Sequence, residues 1–253
     1  MTEFVAYPKG TARALSRSLR VYHGDAARNA AMDALYGRFL KPGDLAFDIG
    51  SHVGDRISSF RRLGARVVAL EPQPGPARAI QLIHGRDTQV SLLQAACGER
   101  EGTVTLRINS ENPTVSTASD AFIDAARGAD GWKEQVWDRE IAVPCTTLDA
   151  LVALFGLPDF VKIDVEGFEA HVLAGLTKPV PVISFEFTTI QRDVAEACLA
   201  LLETLGPYRF NVALGESQRF ELTEGASAEA MGEYLRGLPH EANSGDVYAV
   251  LGS

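Results

Sequence analysis

From Leu45 onward the chain alternates short apolar runs with helical segments, and this rhythm constrains the fold more than any other feature of the sequence. Leu45–Ile49 reads as a strand, Arg56–Leu63 as a helix stopped by Gly64, and Arg66–Leu70 as a second strand. Pro74 and Pro76 then open a helix through His84, with Gly85 suited to its end, before a third strand over Val90–Ala96. Strands that are apolar throughout and alternate with helices predict a parallel sheet covered on both faces, a doubly wound α/β domain.

The rhythm breaks at Cys97. Gly98–Gly102 reads as a turn into a β-type run, Thr103–Ile108, and residues 109–138 follow, rich in Ser, Thr, Asn and Asp. A segment of that length in a compact domain is usually functional or disordered. The alternation resumes at Ile141–Val143 and in a helix after Thr147. It continues through a strand at Phe160–Asp164, a helix within Val165–Leu176, a strand at Val180–Phe187 and an amphipathic helix over Ile190–Leu205. Strands at Tyr208–Leu214 and Val247–Leu251, with a helix at Ala228–Leu238 between them, close the chain. Residues 1–44 read as a helical arm or lid, with Met32, Leu35, Tyr36 and Phe39 at helical spacing. Residues 45–253 form the main domain, carrying 109–138 as a polar insertion.

The first strand runs into Phe47-Asp48-Ile49-Gly50-Ser51-His52-Val53-Gly54-Asp55. An acid at a strand's carboxyl end, followed by two glycines leading into a helix, describes a nucleotide-type crevice. The dinucleotide fingerprint needs G-x-G-x-x-G, whereas this turn has G-x-x-x-G, and no Gly-Lys-Ser/Thr phosphate loop occurs. The pattern D-x-G-x-x-x-G fits S-adenosylmethionine, whose ammonium group would face Asp48 and the carbonyl of Gly50, with Ser51 and Gly54 completing the turn. Glu71 ends the second strand and Pro72 holds the chain extended after it, which suits a carboxylate accepting both ribose hydroxyls. The adenine is expected against apolar side chains, with a backbone contact near Ala96.

Charged groups also punctuate later strands. Lys162 and Asp164 share one face of the fourth strand, and Glu166 follows it. Glu186 interrupts Ser184-Phe185-Glu186-Phe187 in the fifth. A buried lysine needs a partner, so Lys162 paired with Asp164 or Glu186 is one reading. The other places Asp164 near a sulfonium and its methyl group, with Glu166 or Glu186 handling the acceptor. His52 and His171 are weaker candidates for a base, and no base is assigned. Three carboxylates at neighbouring strand ends permit a divalent cation, but no required metal is expected.

Taken together, these residues resemble the FkbM-type family of S-adenosylmethionine-dependent methyltransferases, from about Leu19 to Leu251. The similarity is carried by FDIGSHVGD (47–55), VVALEPQP (67–74), TTLDAL (146–151), FVKIDVEGFEAHVLAGL (160–176), ISFEFTTIQ (183–191) and SGDVYA (244–249). It implies the class I methyltransferase fold: a Rossmann-like, doubly wound, mostly parallel seven-stranded sheet whose last strand, Val247–Leu251, is antiparallel. It also implies O-methylation, commonly of sugars or of hydroxyls on secreted or antibiotic-like metabolites. His52 stands where many members carry Asn.

The expected partner is therefore a small-molecule or glycan acceptor. Asn112, Thr114, Ser116 and Thr117 would hydrogen-bond it, and Trp132 or Trp137 would offer a sugar platform. A nicotinamide-dependent oxidoreductase or epimerase on a similar sheet, and a non-catalytic cofactor-binding module, are the alternatives. With 24 Lys+Arg against 33 Asp+Glu, a formal charge of −9, the chain lacks the cationic balance of a nucleic-acid binder. Its three cysteines show no CxxC or zinc-type spacing. No apolar run reaches the length of about 18 residues that a membrane span needs. The opening MTEFVAYPKG carries no secretion signal, so a soluble cytoplasmic protein of open oligomeric state is expected.

Overall fold

The computed structural model describes residues 11–252. The opening segment in which no secretion signal is expected, and with it the start of the 1–44 arm, lies outside the described residues. Helices α1 (Thr11–His23) and α2 (Ala26–Tyr36) come first. Asp25 caps α2 by accepting from the backbone N–H groups of Ala27 and Arg28, satisfying donors that a helix start leaves free. The apolar spacing of α2 buries Met32, Leu35 and Tyr36, and Tyr36 meets Phe60 and Phe160 edge-on.

Alternation then follows: β1 (Leu45–Ile49), α3 (Asp55–Arg62), β2 (Arg66–Leu70), α4 (Pro74–His84) and β3 (Val90–Leu93). The chain continues as β4 (Ala96–Cys97), β5 (Gly102–Ile108), α5 (Asp120–Gly128), β6 (Arg139–Thr146) and α6 (Leu148–Phe155). It closes with β7 (Phe160–Ile163), α7 (Glu169–Leu173), β8 (Val182–Thr188), α8 (Arg192–Leu205), β9 (Tyr208–Leu214), α9 (Ala228–Gly237) and β10 (Ser244–Leu251).

Seven strands form one sheet in the order β3-β2-β1-β7-β8-β10-β9. β1 pairs in parallel with both β2 and β7, while β10 runs antiparallel between β8 and β9. Every residue of β1 is buried, because helices cover both faces. Phe47, Ile49, Val161 and Ile163 pack toward one apolar layer, and Ala46, Phe60, Phe160 and Met32 toward the other. The doubly wound sheet with an antiparallel last strand is the architecture the alternation and the family resemblance imply. At its carboxyl edge the strand order reverses between β1 and β7, which is where such sheets open a crevice.

Four local expectations are corrected. The third strand stops at Leu93, and Ala96–Cys97 leaves it to pair with β6 in a separate three-stranded sheet, β4-β6-β5. Ile141–Val143 therefore does not resume the main sheet; it zips antiparallel onto β5. The polar segment 109–138 is not structureless: Ser119 caps α5, whose Phe122 and Ala126 pack with Val115 and Trp132 into a small core. Finally, the helix after β7 spans only Glu169–Leu173, because Glu166 and Gly167 take left-handed backbone and turn the chain first.

Candidate active site

A cleft of about 990 Å³, open solvent at its mouth included, lies over the carboxyl ends of β1, β2 and β7. Asp48, Gly50, Ser51, Glu71, Pro72, Ala96, Asp164, Glu166 and Glu186 all line it. Gly54 does not: with φ 80° it starts α3 just beside the cleft. Lys162 does not line it either.

The turn after β1 is fixed by its own backbone. The N–H groups of Gly50 and Ser51 both donate to the carbonyl of Leu70 at 2.9 Å, and Ser51 Oγ donates to the carbonyl of Asp48 at 2.8 Å. Gly50 has φ +87°, and a Cβ there would collide with the carbonyl oxygen of Asp164, so only glycine lets β1 and β7 close the crevice floor. Asp48 is 1 % exposed. Its Oδ2 has no partner among the described residues, and burial, reinforced by the charge of Asp55, pushes its carboxyl up to about 7.

Glu71 is held differently. Its Oε2 accepts from the N–H of His52 at 2.9 Å and its Oε1 from the N–H of Gln73 at 2.7 Å. Burial still raises its carboxyl to about 8. Each oxygen of this cleft-lining residue has accepted one bond and can accept another, enough for two hydroxyls. Ala95, Ala96, Leu106 and Ala118 give the cleft an apolar wall. An acid with an orphaned oxygen, an acid poised for vicinal hydroxyls and a small apolar wall together fit a cationic adenosyl donor.

The opposite wall is built by β7 and β8. Lys162, 0 % exposed, sends Nζ to Asp246 Oδ1 at 2.8 Å, to Asp164 Oδ2 at 3.1 Å and to its neighbour's carbonyl at 3.4 Å. Burial alone would strip its proton, but Asp164 and Asp246 hold the ammonium pKa well above its ordinary value. Glu186 is thus not its partner. Lys162 stands behind Asp164 and does not itself line the cleft. Burial pushes the Asp164 carboxyl up, yet Lys162 and Arg56 outweigh it and hold the pKa below the usual range.

Glu166 is 6 % exposed and has φ 56°. Glu169 clamps that turn by accepting from the N–H groups of Val165 and Gly167 at 3.0 and 3.2 Å. Burial, then the charge of Asp164, drives the carboxyls of Glu166 and Glu186 well up. Oε2 of Glu186 has no partner among the described residues. One oxygen from each of Asp164, Glu166 and Glu186 lies within 4.8 Å of the other two.

The two histidines separate. His52 reaches the cleft, where burial lowers its pKa to about 4 and leaves it neutral at pH 7; its Nε2 lies 3.4 Å from Thr114 Oγ1. His171 stacks on Phe168 outside the cleft. Thr114 and Ser116 line the cleft, but Asn112 bonds to Gln135, and Thr117 Oγ1 donates to the Glu166 carbonyl. Trp132 and Trp137 both pack edge-on against Phe122, and their indole N–H groups donate to Asn243 and Val115. Neither ring lines the cleft: Trp132 is buried in the insertion's small core, and Trp137 packs against that core.

Sequence reasoning missed Tyr22, Arg56, Glu216 and Asp246. Tyr22 arrives on α1 and lines the cleft beside Arg56. Arg56 Nη1 bonds Asp55 at 2.7 Å and its Nη2 approaches Glu216 at 3.4 Å. Only Asp246 left a signal, a lone acid in the apolar run Val247–Leu251 and its approach; it pairs in register with Glu186.

The sequence profile of the Methyltransferase FkbM domain matches residues 48–236. No curated protein matches the chain. Among solved structures, a precorrin-6Y C5,15-methyltransferase from Geobacter metallireducens GS-15 is 16% identical. It covers 89% of this chain and 87% of its own at a TM-score of 0.42. Fibrillarin from Aeropyrum pernix, in complex with S-adenosyl-L-methionine, is 12% identical over 83% of this chain and 67% of its own, TM-score 0.44. A TehB-like methyltransferase from Corynebacterium glutamicum is 10% identical over 95% and 100%, TM-score 0.44. The profile spans three-quarters of the sequence, from Asp48 in the glycine turn past Glu186, and so assigns what these distant likenesses do not: the chain belongs to the FkbM family of S-adenosylmethionine-dependent methyltransferases.

Proposed function

We propose that the protein methylates a hydroxyl group of a sugar, a glycan or a glycosylated small molecule. The observation carrying this reading is the buried oxygen of Glu186 that no donor among the described residues satisfies, beside the buried Glu166 on the cleft wall. Methyl transfer to an alcohol requires a group that removes the hydroxyl proton, and a carboxylate whose pKa is driven upward is a stronger base than an ordinary one. The bound donor supplies a methyl group on a sulfonium, so transfer forms an O–C bond, breaks the S–C bond and leaves a neutral thioether.

Asp48 and Glu71 hold the donor in this scheme, with Gly50, Ser51, Pro72 and Ala96 shaping its bed. Lys162 keeps Asp164 ionised and aimed. Glu186, with Glu166 beside it, orients the acceptor and receives its proton. Thr114 and Ser116, whose hydroxyls edge the cleft, suit a hydroxyl-rich acceptor. Helix α1 acts as the lid of this site: Tyr22 lines the cleft, Arg17 donates to the Glu111 carbonyl at 2.6 Å, and His23 Nε2 lies 2.9 Å from the Val53 carbonyl. The acidic balance of the chain disfavours a nucleic-acid acceptor.

Mass spectrometry of a panel of sugars, glycosides and amines incubated with protein and donor tests the reading. A methyl ether is the expected product, and Glu186→Gln should slow its formation by about 100-fold or more. Methylation of amines alone would overturn it.

A further inference from the structure

The acids at the ends of β7 and β8 outnumber the cations available to them. Lys162 is the ammonium nearest them, and it is already shared between Asp164 and Asp246. Glu166 uses only its main-chain oxygen among the described residues, accepting from Thr117 Oγ1 at 2.6 Å, although the residue is 6 % exposed. Glu166 lines the cleft and its carboxylate makes no hydrogen bond among the described residues, and the buried Oε2 of Glu186 has no partner among them either. These two side chains and Asp164 bring one oxygen apiece to within 4.8 Å of one another.

That separation suits a single ion. Divalent cations sit about 2.0–2.6 Å from oxygen ligands, so one placed between the three acids reaches all of them with an inward side-chain shift of a few tenths of an ångström to about 1 Å. The donor set is all oxygen, with neither nitrogen nor sulfur, which favours Mg²⁺, Mn²⁺ or Ca²⁺ over zinc. Three ligands also leave coordination positions open on a cation that takes six or more.

We propose that Asp164, Glu166 and Glu186 form a divalent-cation site whose open positions take the acceptor oxygen. This replaces the sequence expectation of a reaction needing no metal. It rests on the hydroxyl-methylating reading for its role, though not for its existence. A hydroxyl bound to such an ion loses its proton more readily. The second oxygen of a ligating carboxylate receives that proton while the acceptor oxygen gains the methyl group.

The experiment uses the full chain, freed of metal by chelator and titrated with Mn²⁺ while free ion is followed by electron paramagnetic resonance. One Mn²⁺ per chain is expected, displaced by excess Mg²⁺. Glu166→Gln and Glu186→Gln should each weaken it by at least about tenfold. Glu71→Gln, on the opposite wall, should leave it unchanged. Should an acid variant fail to fold, thermal unfolding of the unaltered chain decides, since an ion that binds only the folded state must raise the midpoint. No saturable uptake, no rise in midpoint, or equal uptake by both acid variants would overturn the site. Hydroxyl methylation at full rate in chelator sinks this inference alone, whereas Mn²⁺ binding without any hydroxyl methylation sinks the proposed function alone.

Discussion

The two walls of the cleft solve the same problem, burying carboxylates, in opposite ways. On the β1/β2 wall, Glu71 is held by two backbone N–H groups that belong to the chain itself, and the turn around Asp48 is tied to Leu70. On the β7/β8 wall, one lysine is shared between Asp164 and Asp246, and Glu166 and Glu186 stand close to Asp164 without a cation of their own among the described residues. Backbone donors do not titrate, so the first wall suits a ligand that is always the same. Side-chain charges can exchange protons and partners, so the second wall suits a step in which charge changes hands.

The contrast predicts its own largest break at the seam between the walls. Gly50→Ala puts a Cβ into the Asp164 carbonyl at a left-handed φ and should cost on the order of 4 kcal/mol or more, read as loss of the folded state in denaturant titration. An ordinary unfolding midpoint for this variant would mean the two walls are not locked together there. Next comes Lys162→Met, which leaves the buried Asp246 and the part-buried Asp164 without their cation. It should cost about 3–5 kcal/mol, and adding Asp246→Asn should recover part of that. If the double variant is no more stable than the single one, the lysine is not what supports the second wall.

How far the sequence revealed this division follows from where each signal sits. Asp48, the glycines and Glu71 lie within 25 residues on consecutive parallel strands, so local spacing carries the β1/β2 wall almost whole. The sheet was legible for the same reason: mostly apolar strands alternate with helices. The Lys162–Asp246 pair joins residues 84 apart. It depends on β10 inserting antiparallel beside β8, and no local periodicity encodes that pairing. The insertion misled because its polar composition conceals a helix and a core of few aromatic residues. Cys97 leads into a second small sheet, since β5 and β6 find each other across that same insertion. Likewise the helix after β7 looked longer, because Glu166 in a left-handed conformation is an unfavourable choice that propensity does not foresee.

A middle-sized effect separates the walls functionally. Glu71→Gln removes the carboxylate proposed to accept two hydroxyls, and donor affinity measured by calorimetry should fall by about 10- to 100-fold. Lys162→Met, where it still folds, should instead reduce turnover more than donor affinity. Equal effects of both variants on donor binding would erase the division of labour.

The smallest effect, and the one that compares the walls in a single titration, is the dependence on pH. Asp48 and Glu71 are pushed up to about 7 and about 8 from ordinary values of 3.8 and 4.5. Between those limits the folded chain holds more protons than the unfolded one, so their contribution to stability is full at low pH and is lost as pH rises through 7 to 8. Asp164 is shifted the other way, and its contribution is lost only as pH falls through the acid range. A donor that needs the ionised acids binds more tightly over the interval in which the free protein weakens, by up to about tenfold per pH unit for each group. Thermal midpoints at pH 5.5, 7 and 8, with and without donor, should therefore diverge: the free protein falls while the rise caused by donor grows. Were that rise the same at every pH, Asp48 and Glu71 would not be the groups that meet the donor's charge and hydroxyls, and the first wall would lose its assigned role.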